Sequence, residues 1–307
     1  MRRLRGPHRL DSVRSMSIAV RANDIRVRPL GGPFAAEITG GDLNEATDDD
    51  IETIRRAIAE HLVVRLRGYR MDDIQFTRFV ARFGELHTSP DYVKDRKVYV
   101  PESPLMSVVS NIVENGVAIG HHGDGELDWH TDLSFTDVPS CYTMLCAREV
   151  PPTGGNTRFT DMYRAYDVLP EELKARLARL TIKHQASHNP QYGTWPGWDH
   201  IETRDVREMP GPIHPIVRTH PETGRKSLYL GRRFGAYIPG LVLAKSEALL
   251  DELWSYAGRP ENSWDQEWQQ HDVTIWDNRC TMHRRDSFAG LGRRRMHGLM
   301  TKGTRPE

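Results

Sequence analysis

A chain of 307 residues with 42 basic and 42 acidic side chains carries no net charge, which leaves no basic footprint for nucleic acid and no acidic excess for a cationic partner. No apolar run approaches the roughly 20 residues that span a bilayer. Three cysteines, Cys141, Cys146 and Cys280, are too few and too scattered for a disulfide framework, so a reducing, cytoplasmic setting is expected.

In chain order, the first residues, MRRLRGPHRLDSVRSMS, are arginine-rich but lack the apolar segment of a secretory signal. Residues 1–24 are expected to be a disordered extension. Residues 25–307 are expected to form one domain, since no repeat, low-complexity tract or linker divides them. Alternating apolar and polar positions between glycines predict one or two short strands over 25–44. Thr47 is a candidate N-cap, and Ile51, Ile54, Ile58 and Leu62 then recur at helical spacing. VVRLRGY follows as a strand. MDDIQFTRFVARFGEL (71–86) predicts a second helix with Ile74, Phe76, Phe79, Val80 and Phe83 close to one face. Pro170 opens a helix, PEELKARLARL, and KSEALLDELWSYA is another from Lys245. Short strand-like runs lie near 106–112, 129–135, 141–147, 214–219, 227–230 and 272–283, with turns PPTGGN (151–156) and HPETGRKS (220–227) among them. Many short strands and few helices predict a mainly β fold with flanking helices, a sandwich or barrel. The polar stretch 184–212, rich in Trp, Gly and Pro, reads as an excursion near a site.

Chemistry concentrates in DWHTDLSF (128–135). On an extended strand His130 and Asp132 point to one face, where they can share a metal ion, act as a dyad, or only form a polar face. A third candidate comes from DVTIWDNRCTMHRRDSF, a strand with Val273 and Ile275 that ends in a turn before His283. Two histidines and one carboxylate, with coordination positions left over, make the facial triad of non-heme Fe(II) oxygenases.

WHTD, then PPTGGNTRFTDMYRAYDVLP, HPETGRKSLYL, WDNRCTMHR and the terminal RRRMHG resemble the taurine and dichlorophenoxyacetate dioxygenase family. The likeness runs from about Ile25 to about Met300. It implies a double-stranded β-helix, a cupin-like jelly-roll barrel, with His130, Asp132 and His283 as ligands to Fe(II). It also implies 2-oxoglutarate as cosubstrate, O2 as oxidant, and hydroxylation of a C–H bond with release of succinate and CO2. Related halogenases carry a small residue in place of the aspartate, so Asp132 implies oxygenation.

The far carboxylate of 2-oxoglutarate needs a fixed cation, and a guanidinium matches it bidentately. In GRRRMHGLM, strand alternation places Arg294 with Met296, Gly298 and Met300 on an inward face, and Arg293, Arg295, His297 and Leu299 on a solvent face. Arg294 is therefore the candidate, and the family alignment agrees. The resemblance also implies Thr157 as a hydrogen-bond partner of the same carboxylate. Ser89 and Gly298 stand where the taurine enzymes carry the histidine and arginine that hold the sulfonate. Tyr92 and Asn111 fall at substrate-pocket positions of the family. Trp129, Phe135, Trp195 and Trp198 are candidates to line the pocket and keep it dry. Likeness to phenoxyalkanoate members points to a small carboxylate substrate, while Glu126 and Asp128 keep an amine or amino acid open, as the family keeps a sulfonate. Arg232, Arg233 and Lys302 read as ordinary surface charges. The expected partners are a small-molecule substrate and further copies of the chain, as a dimer or tetramer, with neither nucleic acid nor membrane. A noncatalytic metal-binding barrel is the rival reading, and it would have no use for Arg294 or Thr157.

Overall fold

The computed structural model describes residues 25–87, 98–189, 193–195 and 198–307; the expectation for 1–24 and the positions Ser89 and Tyr92 lie outside them. The architecture is mainly β. A nine-stranded sheet runs, by strand, in the order Arg26–Pro29, Ala36–Thr39, Val63–Leu66, Val273–Asp277, Ser140–Glu149, Arg295–Lys302, Ser107–Ser110 and His121–His122, with Leu86–His87 also paired to Arg295–Lys302. A four-stranded sheet runs Ser263–Gln266, Thr157–Asp161, Thr281–Arg285 and Leu127–His130.

Aromatic packing joins the two sheets. Trp276 of the larger sheet meets Phe159 of the smaller at 5.2 Å between ring centroids, inside a buried cluster that includes Val63, Tyr163 and Cys280. The run 272–283, read from sequence as one strand region, is in fact two strands in different sheets. Val273–Asp277 closes the large sheet, and after the turn 278–280 the strand Thr281–Arg285 enters the small one. That crossover brings His283 to the space between the sheets.

Helices cover the outer faces. Helix Asp48–His61 starts as expected at Thr47, whose hydroxyl accepts from Asp50 N–H while the Asp50 side chain accepts from Thr47 N–H; such a capping box is worth about 1 kcal/mol. Helix Asp73–Ala81 is capped the same way by Asp72 and Gln75. Its buried residues are Phe76, Phe79 and Val80, and Phe83 just beyond its end is buried with them. Ile74 is a correction: it is 44% exposed, because two residues before Phe76 lies nearly half a turn away from that stripe. Helices Met162–Asp167, Glu171–Leu177 and Leu243–Ala257 bury a second apolar cluster against Met282 on the back of the smaller sheet.

Two further expectations are corrected. The run 129–135 is not a strand throughout: the strand Leu127–His130 ends at His130, and residues 132–135 form a turn. The face carrying His297 and Leu299 is not solvent. Both are buried, because Arg295–Lys302 lies inside the large sheet and helix Asp73–Ala81 packs over that side, with Asp73 Oδ1 2.8 Å from His297 Nδ1.

Candidate metal centre

His130 and His283 are directly opposed residues on neighbouring antiparallel strands, and their rings lie 4.1 Å apart between centroids. Cross-strand neighbours of this kind share a face. Asp132 reaches the same point by the turn and not by strand pleat. Leu133, next in the chain, adopts φ 51°, in the left-handed region that costs an ordinary side chain energy. Several bonds hold the turn in place. Thr131 N–H donates to the Gly231 carbonyl at 3.1 Å, Thr131 Oγ1 to the Thr281 carbonyl at 3.3 Å, and Asp132 N–H to Asn278 Oδ1 at 3.3 Å.

Asp132 Oδ1 stands 3.7 Å from His130 Nε2 and 3.8 Å from His283 Nε2. These separations are too long for hydrogen bonds, yet one oxygen and two nitrogens converge within 4.8 Å of one another. The other ring nitrogen of His130 lies 2.7 Å from the Asp128 carbonyl. That bond assigns the proton to Nδ1 and leaves the Nε2 lone pair facing the centre. Burial, then the neighbouring His283, pushes His130 down to about 3, and burial likewise lowers His283. Both imidazoles are therefore neutral at neutral pH, as metal ligands must be. Burial alone would raise Asp132; the two imidazoles, which carry positive charge only where acid protonates them, and a hydrogen bond from Thr143 Oγ1 outweigh it and hold the carboxyl below its usual range. The donor set fits a divalent cation of the non-heme iron type.

Behind the carboxylate runs a chain of polar groups that sequence reasoning missed. Thr143 Oγ1 donates to Asp132 Oδ2 at 2.7 Å, Asn278 Nδ2 donates to Thr143 Oγ1 at 2.8 Å, and Trp276 Nε1 donates to Asn278 Oδ1 at 3.2 Å. Asn278 lies within the quoted WDNRCTMHR motif, but nothing in the linear order says that it faces the ligand turn. A second group, His220, Asp277 and Cys280, also lies close together. Its carboxylate is already engaged by Arg279 (2.6 Å) and His220 (3.0 Å), so it reads as a buried ion-pair network.

Arg294 is 2% exposed. Its Nε donates to the Gly155 carbonyl at 3.0 Å, and its guanidinium lies 5.7 Å from the Phe288 ring centroid. Burial, followed by the charge of Arg285 on the same Phe288 ring, pushes Arg294 down to about 9. Among the described residues no carboxylate pairs with it. A buried guanidinium lacking an anion, in a chain this rich in carboxylates, fits an anionic ligand. Neighbouring Arg293 is exposed and paired with Glu149 and Glu114. Thr157 is buried, and its hydroxyl accepts from Trp268 Nε1 at 3.1 Å, which leaves its own proton to donate.

Asn111 lines an open cavity of about 320 Å³ with Ser110, Ile112, Gly120, His121 and His122. Its side chain is spent on the backbone beside Arg294: Oδ1 accepts from Arg294 N–H at 2.8 Å and Nδ2 donates to the Gly292 carbonyl at 2.9 Å. Trp129 is not brought to the centre. It follows strand alternation away from His130, packs on the helical cluster and lies against Gly258, with Arg284 5.8 Å from its ring. Phe135 is near the centre, in an apolar group with Leu133, Ala186, Trp198 and Met300. Glu126 faces Arg284 at 3.5 Å and Asp128 is exposed, which removes the support for an ammonium partner.

Residues 26–300 match the sequence profile of the family described as "Taurine catabolism dioxygenase TauD, TfdA family". The chain is 31% identical over 268 residues to the (S)-phenoxypropionate/alpha-ketoglutarate-dioxygenase of Sphingobium herbicidovorans, covering 84% of this chain and 88% of that one. It is 32% identical over 281 residues to the alpha-ketoglutarate-dependent 2,4-dichlorophenoxyacetate dioxygenase of Cupriavidus pinatubonensis, covering 89% and 96%. The crystal structure of AAD-2 in complex with Mn(II) and N-oxalylglycine matches with a TM-score of 0.78 at 29% identity, covering 92% and 99%. The fold is the jelly-roll double-stranded β-helix expected from sequence.

Proposed function

Since the chain belongs to the taurine catabolism dioxygenase TauD, TfdA family and is a 2-oxoglutarate-dependent dioxygenase, we propose that it hydroxylates a C–H bond of a small carboxylate of the phenoxyalkanoate kind, releasing succinate and CO2. The observation that carries this reading is the convergence of His130 Nε2, Asp132 Oδ1 and His283 Nε2 on one point. Fe(II) held there would, with 2-oxoglutarate, activate O2 for an oxidation that no side chain can perform.

The residues divide the remaining work. His130 and His283 present neutral nitrogens and Asp132 one negative charge, and these three would hold Fe(II) with positions left over for small molecules. Thr143 and Asn278 hold the carboxylate so that Oδ1, and not Oδ2, faces the histidines. Arg294 receives the far carboxylate of 2-oxoglutarate, with Thr157 as a second donor. Asn111 serves by holding the Arg294 backbone. Phe135, Leu133 and Trp198 keep one side apolar and exclude water.

The carboxylate preference takes its support from the substrates printed in the names of the relatives. No helix among the described residues is long and apolar enough to cross a membrane, and free thiols at Cys141, Cys146 and Cys280 support a cytoplasmic setting. Assembly as a dimer or tetramer draws support from exposed Val113 and Val117 on a short hairpin, and sedimentation would test it. For the activity, the purified protein is incubated with Fe(II), ascorbate and 2-oxoglutarate, and succinate release is measured over carboxylates, sulfonates and amino acids. Stimulation by a carboxylate and not by amino acids is expected; the reverse pattern would reject the substrate assignment.

A further inference from the structure

Trp268 is buried, and the two ends of its side chain serve different sheets. Its indole Nε1–H donates at 3.1 Å to Thr157 Oγ1, on the first residue of strand Thr157–Asp161 in the smaller sheet. Its ring packs with Ala147 and Met296, which are directly opposed on neighbouring strands of the larger sheet. The segment that carries Trp268 is held tightly. The buried Asp272 accepts from Arg67 Nε at 3.0 Å, Arg67 Nη2 at 2.8 Å, Gln266 Nε2 at 3.1 Å and Gln269 N–H at 2.9 Å. Arg67 Nη2 also donates to the Glu267 carbonyl at 3.0 Å. Residues on both sides of Trp268 are thereby tied to one carboxylate and one guanidinium, and a side chain on so constrained a backbone keeps its direction.

The direction of that hydrogen bond matters. An indole nitrogen can only donate, whereas a hydroxyl donates one proton and accepts at two lone pairs. The bond from Trp268 therefore fills an acceptor position of Thr157 and cannot take its proton, which must point elsewhere. Arg294 lies close by along the chain's own loop, since its Nε donates at 3.0 Å to the carbonyl of Gly155, two residues before Thr157. Gly155 has φ 66°, and a Cβ there would stand 3.1 Å from Arg294 Cδ, so glycine lets the loop meet the arginine. Thr157 and Arg294 are thus joined twice. The loop links them through Gly155, and Trp268 links them by touching Thr157 with its nitrogen and Met296, two residues beyond Arg294, with its ring. A free hydroxyl proton beside a buried guanidinium is the complement of one anionic group.

We propose that Trp268 is a positioning residue for the cosubstrate: it fixes the Thr157 hydroxyl with its proton toward the far carboxylate of 2-oxoglutarate, beside Arg294. The carboxylate then meets a donor that is oriented before it arrives, which lowers the ordering cost of binding. This inference rests on the reading of Arg294 and Thr157 given above and extends it to a tryptophan that acts through Thr157.

The test uses the full-length protein in four forms: wild type, Trp268→Phe, Thr157→Val and the double variant. The dissociation constant of 2-oxoglutarate is read anaerobically from the Fe(II) chelate absorption band, and that of Mn(II) by titration without cosubstrate. Phenylalanine keeps much of the ring packing and removes the donor. Trp268→Phe should raise the 2-oxoglutarate constant about two- to tenfold, the worth of one hydrogen bond. Its Mn(II) constant should stay as in wild type, which also shows that the variant is folded. In the Thr157→Val background the same substitution should change the 2-oxoglutarate constant by less than about twofold, because no hydroxyl remains to be oriented. An unchanged 2-oxoglutarate constant in Trp268→Phe, an equal loss with and without the Thr157 hydroxyl, or a parallel loss of Mn(II) binding would each overturn the proposal and leave Trp268 as packing. If Thr157→Val alone binds 2-oxoglutarate as wild type does, the reading of Thr157 fails and this inference with it. A wild type that forms no absorption band overturns the iron reading itself.

Discussion

Thr143 donates its hydroxyl proton to Asp132 Oδ2 at 2.7 Å across the two sheets, and so decides which carboxylate oxygen faces His130 and His283. Partners of metal ligands typically carry 10- to 100-fold in metal affinity, roughly speaking. Thr143→Val keeps the volume and removes the hydroxyl. Its dissociation constant for Mn(II), measured by titration, should rise at least about tenfold. An unchanged constant would mean that Thr143 is only packing.

The adjacent arginines provide an internal control. Removing one member of a desolvated charge pair costs about 2–5 kcal/mol, and each 1.4 kcal/mol is about tenfold. Arg294→Ala should therefore weaken 2-oxoglutarate binding about thirty-fold or more. Arg293→Ala should change it little, because Arg293 is exposed to solvent and already engaged by Glu149 and Glu114. A larger loss at Arg293 than at Arg294 would refute the assignment of the cosubstrate cation.

Asn111→Ala should weaken 2-oxoglutarate binding less than Arg294→Ala but measurably, because both of its hydrogen bonds fix the backbone from Gly292 to Arg294. If instead it raises KM for the primary substrate and leaves 2-oxoglutarate affinity unchanged, Asn111 belongs to the substrate pocket as sequence likeness suggests.

Asp73 predicts a pH effect. Burial opposes its ionisation, but the hydrogen bond and charge of His297, with the charge of Arg148, hold it down to about 2. Its unfolded value is about 3.9. The folded state thus favours the ionised form, and the resulting stability is present above about pH 4 and is lost as pH falls towards 2. Asp73→Asn should lower stability at neutral pH and flatten the pH dependence of unfolding between those limits. Denaturant melts at several pH values check this; parallel curves for the two proteins would exclude it.

Much of the scaffold was legible because local rules governed it. Thr47 and its acidic first turn announced a capped helix, and Phe76, Phe79, Val80 and Phe83 fell on one face as spacing required. The site was legible only in parts. His130 and Asp132 share a point for a reason other than strand alternation, since the strand stops at His130. The opposition of His130 and His283 depends on which strands become neighbours, and no local pattern encodes that. Alternation assigned Arg294 an inward position and Arg294 is buried, but the other face of that strand is covered too. A sheet interior has two dry faces, and only the helix over His297 reveals it.

The most direct test of the central claim is an anaerobic titration of the protein with Fe(II) and 2-oxoglutarate, followed by the visible absorption of the chelate. If His130, Asp132 and His283 hold the iron, wild type should develop the band with one equivalent of each. His283→Ala should fail to develop it while keeping a native circular dichroism spectrum. Absence of the band in wild type, or the same band at the same affinity in His283→Ala, would contradict the account.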